Sequence, residues 1–156
     1  MNIGDYGLGN SSCSYMNIKG FISDYGYRGA DRHTFRFKYA QTMLWERKKA
    51  VIIRGEGIKL REDGKASHAW LGDGWLKRTR NMYANFSDGS KRLVDIQTQT
   101  LMHCNFGWNG VADGYYFVGM FNTLSGRVDR EPSDNTERGG SLYDDTLKIF
   151  TYTEVY

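Results

Sequence analysis

The sequence predicts an α+β fold, in which two helices precede an antiparallel sheet. Three observations carry that expectation. Apolar residues recur at helical spacing in two stretches of the first third of the chain. From Gly55 onward, short apolar or alternating runs are separated by turn signals. The 156 residues include 19 glycines, a single proline and 11 tyrosines, a composition that suits aromatic-packed pleated surfaces joined by tight turns.

Taken in order, residues 1–14 read as a Gly-, Asn- and Ser-rich loop whose Ser11, Ser12 and Ser14 are candidate N-caps. Tyr15, Ile18, Ile22 and Tyr25 then recur at helical spacing, with Gly26 as the stop. A second helix is predicted over Lys38 to Lys48, ending in basic residues that suit a helix C-terminus. Ala50-Val51-Ile52-Ile53 is a short continuous apolar run and reads as a buried strand. Further strands are predicted at His68 to Asp73, Lys91 to Ile96, Thr98 to Asn105, Tyr115 to Phe121 and Thr146 to Tyr152. Gly64, Asp88-Gly89, Asn109-Gly110 and Asp113-Gly114 are the intervening turns. Ser125 to Gly140 is polar and charged and reads as an exposed loop. No internal repeat is visible, and residues 1–156 are read as one domain.

Composition excludes several function classes. The formal charge is +3 and the basic clusters, Arg47-Lys48-Lys49 and Lys77-Arg78-Thr79-Arg80, are short. They read as solvated surface, and no nucleic-acid partner is expected. No run of about 18 apolar residues is present, so no membrane span is expected. Met1 to Gly7 contain no basic region leading into an apolar stretch, hence no secretory signal. Two cysteines do not make a disulfide framework. No paired Cys-x-x-Cys or His-x-x-x-His spacing occurs, and neither a metal nor another cofactor is expected.

Three histidines can be weighed singly. His33 lies in a charged loop, Asp31-Arg32-His33, and reads as a surface residue. His103 alternates with Asn105 on a strand whose other face carries Met102 and Cys104. His68 opens the apolar strand Ala69-Trp70-Leu71 after the loop Gly64-Lys65-Ala66-Ser67. A histidine at a strand mouth can offer one ring nitrogen to a cleft while a second group holds the other, as a general base requires. Asn105, just before a glycine turn flanked by aromatics, is either such a holding group or the first residue of an aromatic-rich hairpin. Pattern alone favours the hairpin.

The two clusters together resemble the streptopain family of cysteine peptidases, which are papain-like in fold. Ser67-His68-Ala69-Trp70-Leu71-Gly72-Asp73-Gly74-Trp75 is similar to the family's segment around its catalytic histidine, a Gly-His-Ala-aromatic-Val-Ile-Asp-Gly run. His103-Cys104-Asn105-Phe106-Gly107-Trp108-Asn109-Gly110 resembles the family's Val/Cys-Asn-Trp-Gly-Trp-Gly-Gly segment, and Asp113-Gly114-Tyr115-Tyr116 the strand that follows it. Phe121-Asn122-Thr123 is similar to the end of that strand, and Asp24-Tyr25-Gly26-Tyr27 to an aromatic-Gly-Tyr element upstream. The match runs from about Asp5 to Phe121.

The resemblance implies that His68 and Asn105 are catalytic, with His68 the base paired to a cysteine thiolate and Asn105 orienting its ring. It implies that Trp108 lines the substrate cleft and that the backbone at Ser67 contacts the peptide. It also implies a secreted thiol endopeptidase made as a zymogen, with a peptide or protein substrate and a propeptide or proteinaceous inhibitor as partners. The architecture would be the right-hand part of a papain-like fold, two helices followed by a twisted antiparallel sheet or half-barrel.

The nucleophile is where the match departs. In relatives it lies well upstream, on a long helix, with a glutamine before it. Cys13 sits before a predicted helix, but in the loop that follows the nucleophile in relatives, and residues 1–12 hold no glutamine. Cys104 adjoins Asn105 and faces the other side. Ser67 stands for the usual glycine and Phe106 for the usual tryptophan. The expectation is therefore an incomplete domain, inactive alone, whose partner would be the missing N-terminal part. The alternatives are an inactive peptide-binding descendant and a small cysteine hydrolase using Cys13.

Overall fold

The structure, a computed structural model, describes residues 5–6, 11–12, 15–128 and 140–154. It is α+β, with a mainly antiparallel β architecture. β1 (Asp5–Tyr6) and β2 (Ser11–Ser12) pair as a minimal ladder inside the stretch expected to be loop. Helix α1 (Tyr15–Asp24) buries Ile18 and Ile22, the apolar positions that predicted it. It ends at Gly26, whose φ of +80° is open to glycine and whose N–H reaches the Ser23 carbonyl at 2.9 Å.

The next element corrects the sequence reading. The charged stretch around His33 is an edge strand, β3 (Tyr27–Thr34), with a register shift between Arg28 and Asp31. The second helix is also shorter than Lys38 to Lys48: α2 (Phe37–Gln41) passes into a π-helical turn, Thr42–Glu46. The wider winding shows in the bond from the Arg47 N–H to the Thr42 carbonyl, 3.1 Å. Five more strands complete the sheet as β4 (Val51–Lys59), β5 (Lys65–Asn85), β6 (Lys91–Asn105), β7 (Gly114–Phe117) and the C-terminal β9 (Ser141–Glu154), with β8 (Phe121–Asn122) as a short side pairing.

The order across the sheet is β3-β9-β4-β5-β6-β7, with β8 paired to β9. Thus the last strand inserts between β3 and β4. Alternation along the strands makes two apolar layers. Val51, Ile53, Trp70, Met102, Cys104 and Ile149 are buried on one face, in a cluster that also takes in Ala40 and Met43 of the helical segment. Ile52, Ala69 and Phe150 face the other side, against Ile18 and Ile22 of α1.

Two predicted strands are one: Lys91–Asn105 is continuous, and β5 runs far beyond Asp73. The two strands continue as a ribbon in which Lys77 to Asn85 pair with Lys91 to Thr100. Conversely, the strand expected over Tyr115 to Phe121 is split by a turn into β7 and β8. Of the expected loop over Ser125 to Gly140, residues 129–139 lie outside the described residues, as does Cys13.

Candidate active site

The site grows from the start of β5 and the end of β6. Opposite His68, on β4, is Gly55. A side chain there would collide with Trp70, since a Cβ would lie 2.9 Å from its Cη2. Glycine therefore leaves room for the indole. On β6 the pairing of Leu71 with Asn105 and of Gly72 with Cys104 sets the faces. Asn105 shares the face of Leu71, whereas His68 and Trp70 point to the other.

Beyond β6 the chain turns, and Phe106 and Trp108 return to the His68 side. Trp108 tilts over the imidazole at 4.6 Å between ring centroids, and Phe106 stacks on Trp70 at 5.1 Å. Tyr143 of β9 approaches the imidazole from a further side, at 6.2 Å. The imidazole is thus half-buried in an aromatic box. Its Nε2 lies 2.9 Å from the main-chain carbonyl oxygen of Phe106. A carbonyl can only accept, so Nε2 carries the proton, and in the neutral ring Nδ1 holds the lone pair. Burial lowers the His68 pKa below its usual value of 6.5, and the Phe106 bond offsets part of that.

The turn that presents this carbonyl is itself tied down. The Phe106 N–H donates to Asp113 Oδ1 at 2.7 Å, and the Gly107 N–H donates to Asn105 Oδ1 at 2.9 Å. Arg127 in turn donates to the Asp113 carbonyl at 2.8 Å. Gly107, with φ of +74°, and Asn109, with φ of 55°, make the left-handed steps. Asn105 is thus exposed, and its amide holds the turn, while the bond to His68 comes from the next residue's main chain.

Over residues 5–116 the chain matches the model of the peptidase C10 family. It belongs to that family. This is the streptopain family of cysteine peptidases, and the resemblance carried by the His68 and Asn105 segments is shown. No curated protein matches the chain.

The other residues singled out can now be placed within this family member. Ser67 is exposed on the outer face, where its Oγ takes a 3.2 Å bond from Arg54. Arg54 also pairs with Glu56 at 2.8 Å. Cys104 is fully buried beside Met102 in the core. Burial drives its thiol pKa far upward, only partly offset by the neighbouring Trp70 indole. That sulfur is no nucleophile. His103, on the outer face, binds Asp73 through Nδ1 at 2.5 Å, the carboxylate being delivered by the irregularity between Gly72 and Gly74. Among the described residues no group of His, Cys, Asp or Glu could hold a metal ion, and no helix is long and apolar enough to cross a membrane.

Sequence reasoning missed three contributors: the Phe106 carbonyl, the Asp113 carboxylate and Tyr143. A main-chain oxygen leaves no mark in sequence. Asp113 was visible in a turn signal and in the segment Asp113-Gly114-Tyr115-Tyr116, neither of which gives its carboxylate a partner.

Proposed function

We propose that the chain is the histidine-bearing part of a papain-like thiol endopeptidase and that His68 is its general base. The observation that carries this is the Nε2 bond to the Phe106 carbonyl. It commits one nitrogen and leaves Nδ1 without a hydrogen-bond partner among the described residues. Nδ1 then takes the proton of a cysteine thiol, and the resulting imidazolium keeps its Nε2–H on the carbonyl. The thiolate attacks the scissile carbonyl carbon of a peptide, and His68 returns the proton to the leaving amine. Water, deprotonated by the same nitrogen, releases the acid from the acyl-enzyme.

Asn105 acts in this reading as a positioning residue: its side chain holds the turn, and the turn aims the carbonyl. Trp108 shields the ring from water and lines the cleft, and the main chain at Ser67 runs beside the substrate. The thiol is assigned to a segment upstream of the histidine part rather than to Cys13, because of the order of the family's motifs. The complete enzyme would be secreted, with a propeptide or inhibitor covering the cleft.

The test begins with the DNA upstream of Met1. If it encodes a Gln…Cys pair ahead of a long helix, joining that segment to this chain should give peptidase activity that His68→Ala abolishes. Labelling of Cys13 by a peptidyl vinyl sulfone, suppressed by His68→Ala, would overturn the assignment in favour of a small self-contained hydrolase. Unrelated upstream sequence with no labelling would point to a peptide-binding descendant.

A further inference from the structure

On the sheet face that carries His68 but at its β3 edge, a cleft of about 460 Å³ opens between β3, the helical segment and β9. Its rim carries Arg36, Lys38 and Arg47, and its wall has His33 with the hydroxyls of Thr42 and Thr151. Among the described residues no carboxylate lines it. Arg47 reaches the Tyr152 carbonyl at 3.2 Å. Arg36 and Lys38 have no ion-pair partner among the described residues. The acid beside His33 is Asp31, 3.7 Å from Nε2 and itself exposed.

The wall is preformed. The His33 ring stacks on Tyr39 with centroids 4.3 Å apart and planes at 15°, and its Nε2 lies 3.0 Å from Thr151 Oγ1. The π-helical turn contributes Thr42 and Met43 to the cleft and is followed at once by Arg47. Such turns interrupt helices at functional sites more often than elsewhere. Three cations around a cleft that no described carboxylate lines repel each other, and an oxyanion seated among them removes that repulsion. Guanidinium forks and hydroxyl donors are the groups that recognise phosphoryl oxygens. The volume lies in the range of small-molecule sites.

We propose that this cleft binds a small, multiply charged oxyanion, a phosphate or pyrophosphate group that is either free or carried on a small molecule. The proposal is independent of the peptidase reading, since β9 and β4 separate β3 from the strand that bears His68.

The experiment is calorimetric titration of the chain with inorganic pyrophosphate at low ionic strength. Saturable one-to-one binding is expected, weakening as salt is added. The double variant Arg36→Gln, Lys38→Gln should weaken it by about tenfold or more, through loss of charge-assisted hydrogen bonds. Both side chains are exposed, so the fold is retained. A control pair, Arg78→Gln with Arg80→Gln on the β5–β6 ribbon, should bind as the parent does. Absence of saturable binding, or an equal loss in the control pair, would overturn the proposal. So would capture of a Glu-rich peptide in preference to pyrophosphate.

Discussion

His68 Nε2 stands 2.9 Å from the carbonyl oxygen of Phe106, and Asn105, one residue earlier, turns its amide to the Gly107 N–H instead. The acceptor that fixes the ring is therefore main chain. Replacing Asn105 should leave the tautomer unchanged while loosening the turn. In Asn105→Ala, the ring nitrogen shifts of a ¹⁵N-labelled histidine should still show Nε2 protonated above the pKa. Stability should fall by about 0.5–1.5 kcal/mol, the usual net value of one such hydrogen bond. A change of tautomer would mean that the amide, and not the carbonyl, orients the ring.

The pH dependence has a definite sign. Burial holds the folded pKa of His68 below 6.5, so the unfolded chain binds the extra proton first as pH falls. Stability from this residue is thus complete above about 6.5 and declines as pH drops from there through the folded pKa. The difference in unfolding free energy between the parent and His68→Gln should follow that course, isolating His68 from His33 and His103. Trp108→Ala, which opens the aromatic box, should raise the His68 pKa back toward its usual value in an NMR titration. An unmoved pKa would remove burial as the cause.

Asp113 is the hidden anchor of the site. Its carboxylate takes the Phe106 N–H at 2.7 Å, so Asp113→Ala should cost about 1.5–3 kcal/mol, the range for a hydrogen bond to a charged group. Beyond stability, the variant should release the carbonyl from His68, visible as faster exchange of the imidazole N–H with water. Asp113→Asn keeps an acceptor and should restore most of both properties. A merely structural role would give the stability loss without the change in exchange.

How much of this was readable beforehand depends on what buries each element. α1 and β4 press one face or both into the core, so Ile18, Ile22, Val51 and Ile53 announce them. β3 is an edge strand with Arg28, Asp31 and Arg32 exposed, and it has no alternation to read. The outer ribbon of β5 and β6 is solvated on both faces. Its strand character rests on pairing alone, which is why Lys91–Asn105 read as two strands and Lys77–Asn85 as none. At the site, His68 and Trp108 were legible through their motif. The face of Asn105 depends on its cross-strand pairing with Leu71, which sequence order does not contain.

The last prediction tests whether the aromatic box is built from beneath. Gly55 sits opposite His68, and a Cβ there would meet Leu147 Cδ2 at 2.8 Å, Trp70 Cη2 at 2.9 Å and Tyr143 Cβ at 3.1 Å. Two of these atoms belong to side chains that can move, but the third is close to the main chain, so the cost falls on Trp70 and Leu147. Gly55→Ala should destabilise the fold by about 1–3 kcal/mol, as overpacking does. Because Trp70 lies against Phe106 and beside His68, the His68 resonances should shift with it. Trp70→Phe removes the colliding atom, so the double variant Gly55→Ala, Trp70→Phe should lose less than the two single losses added together. Strict additivity in that cycle would show that the glycine opposite His68 is not there to admit the indole.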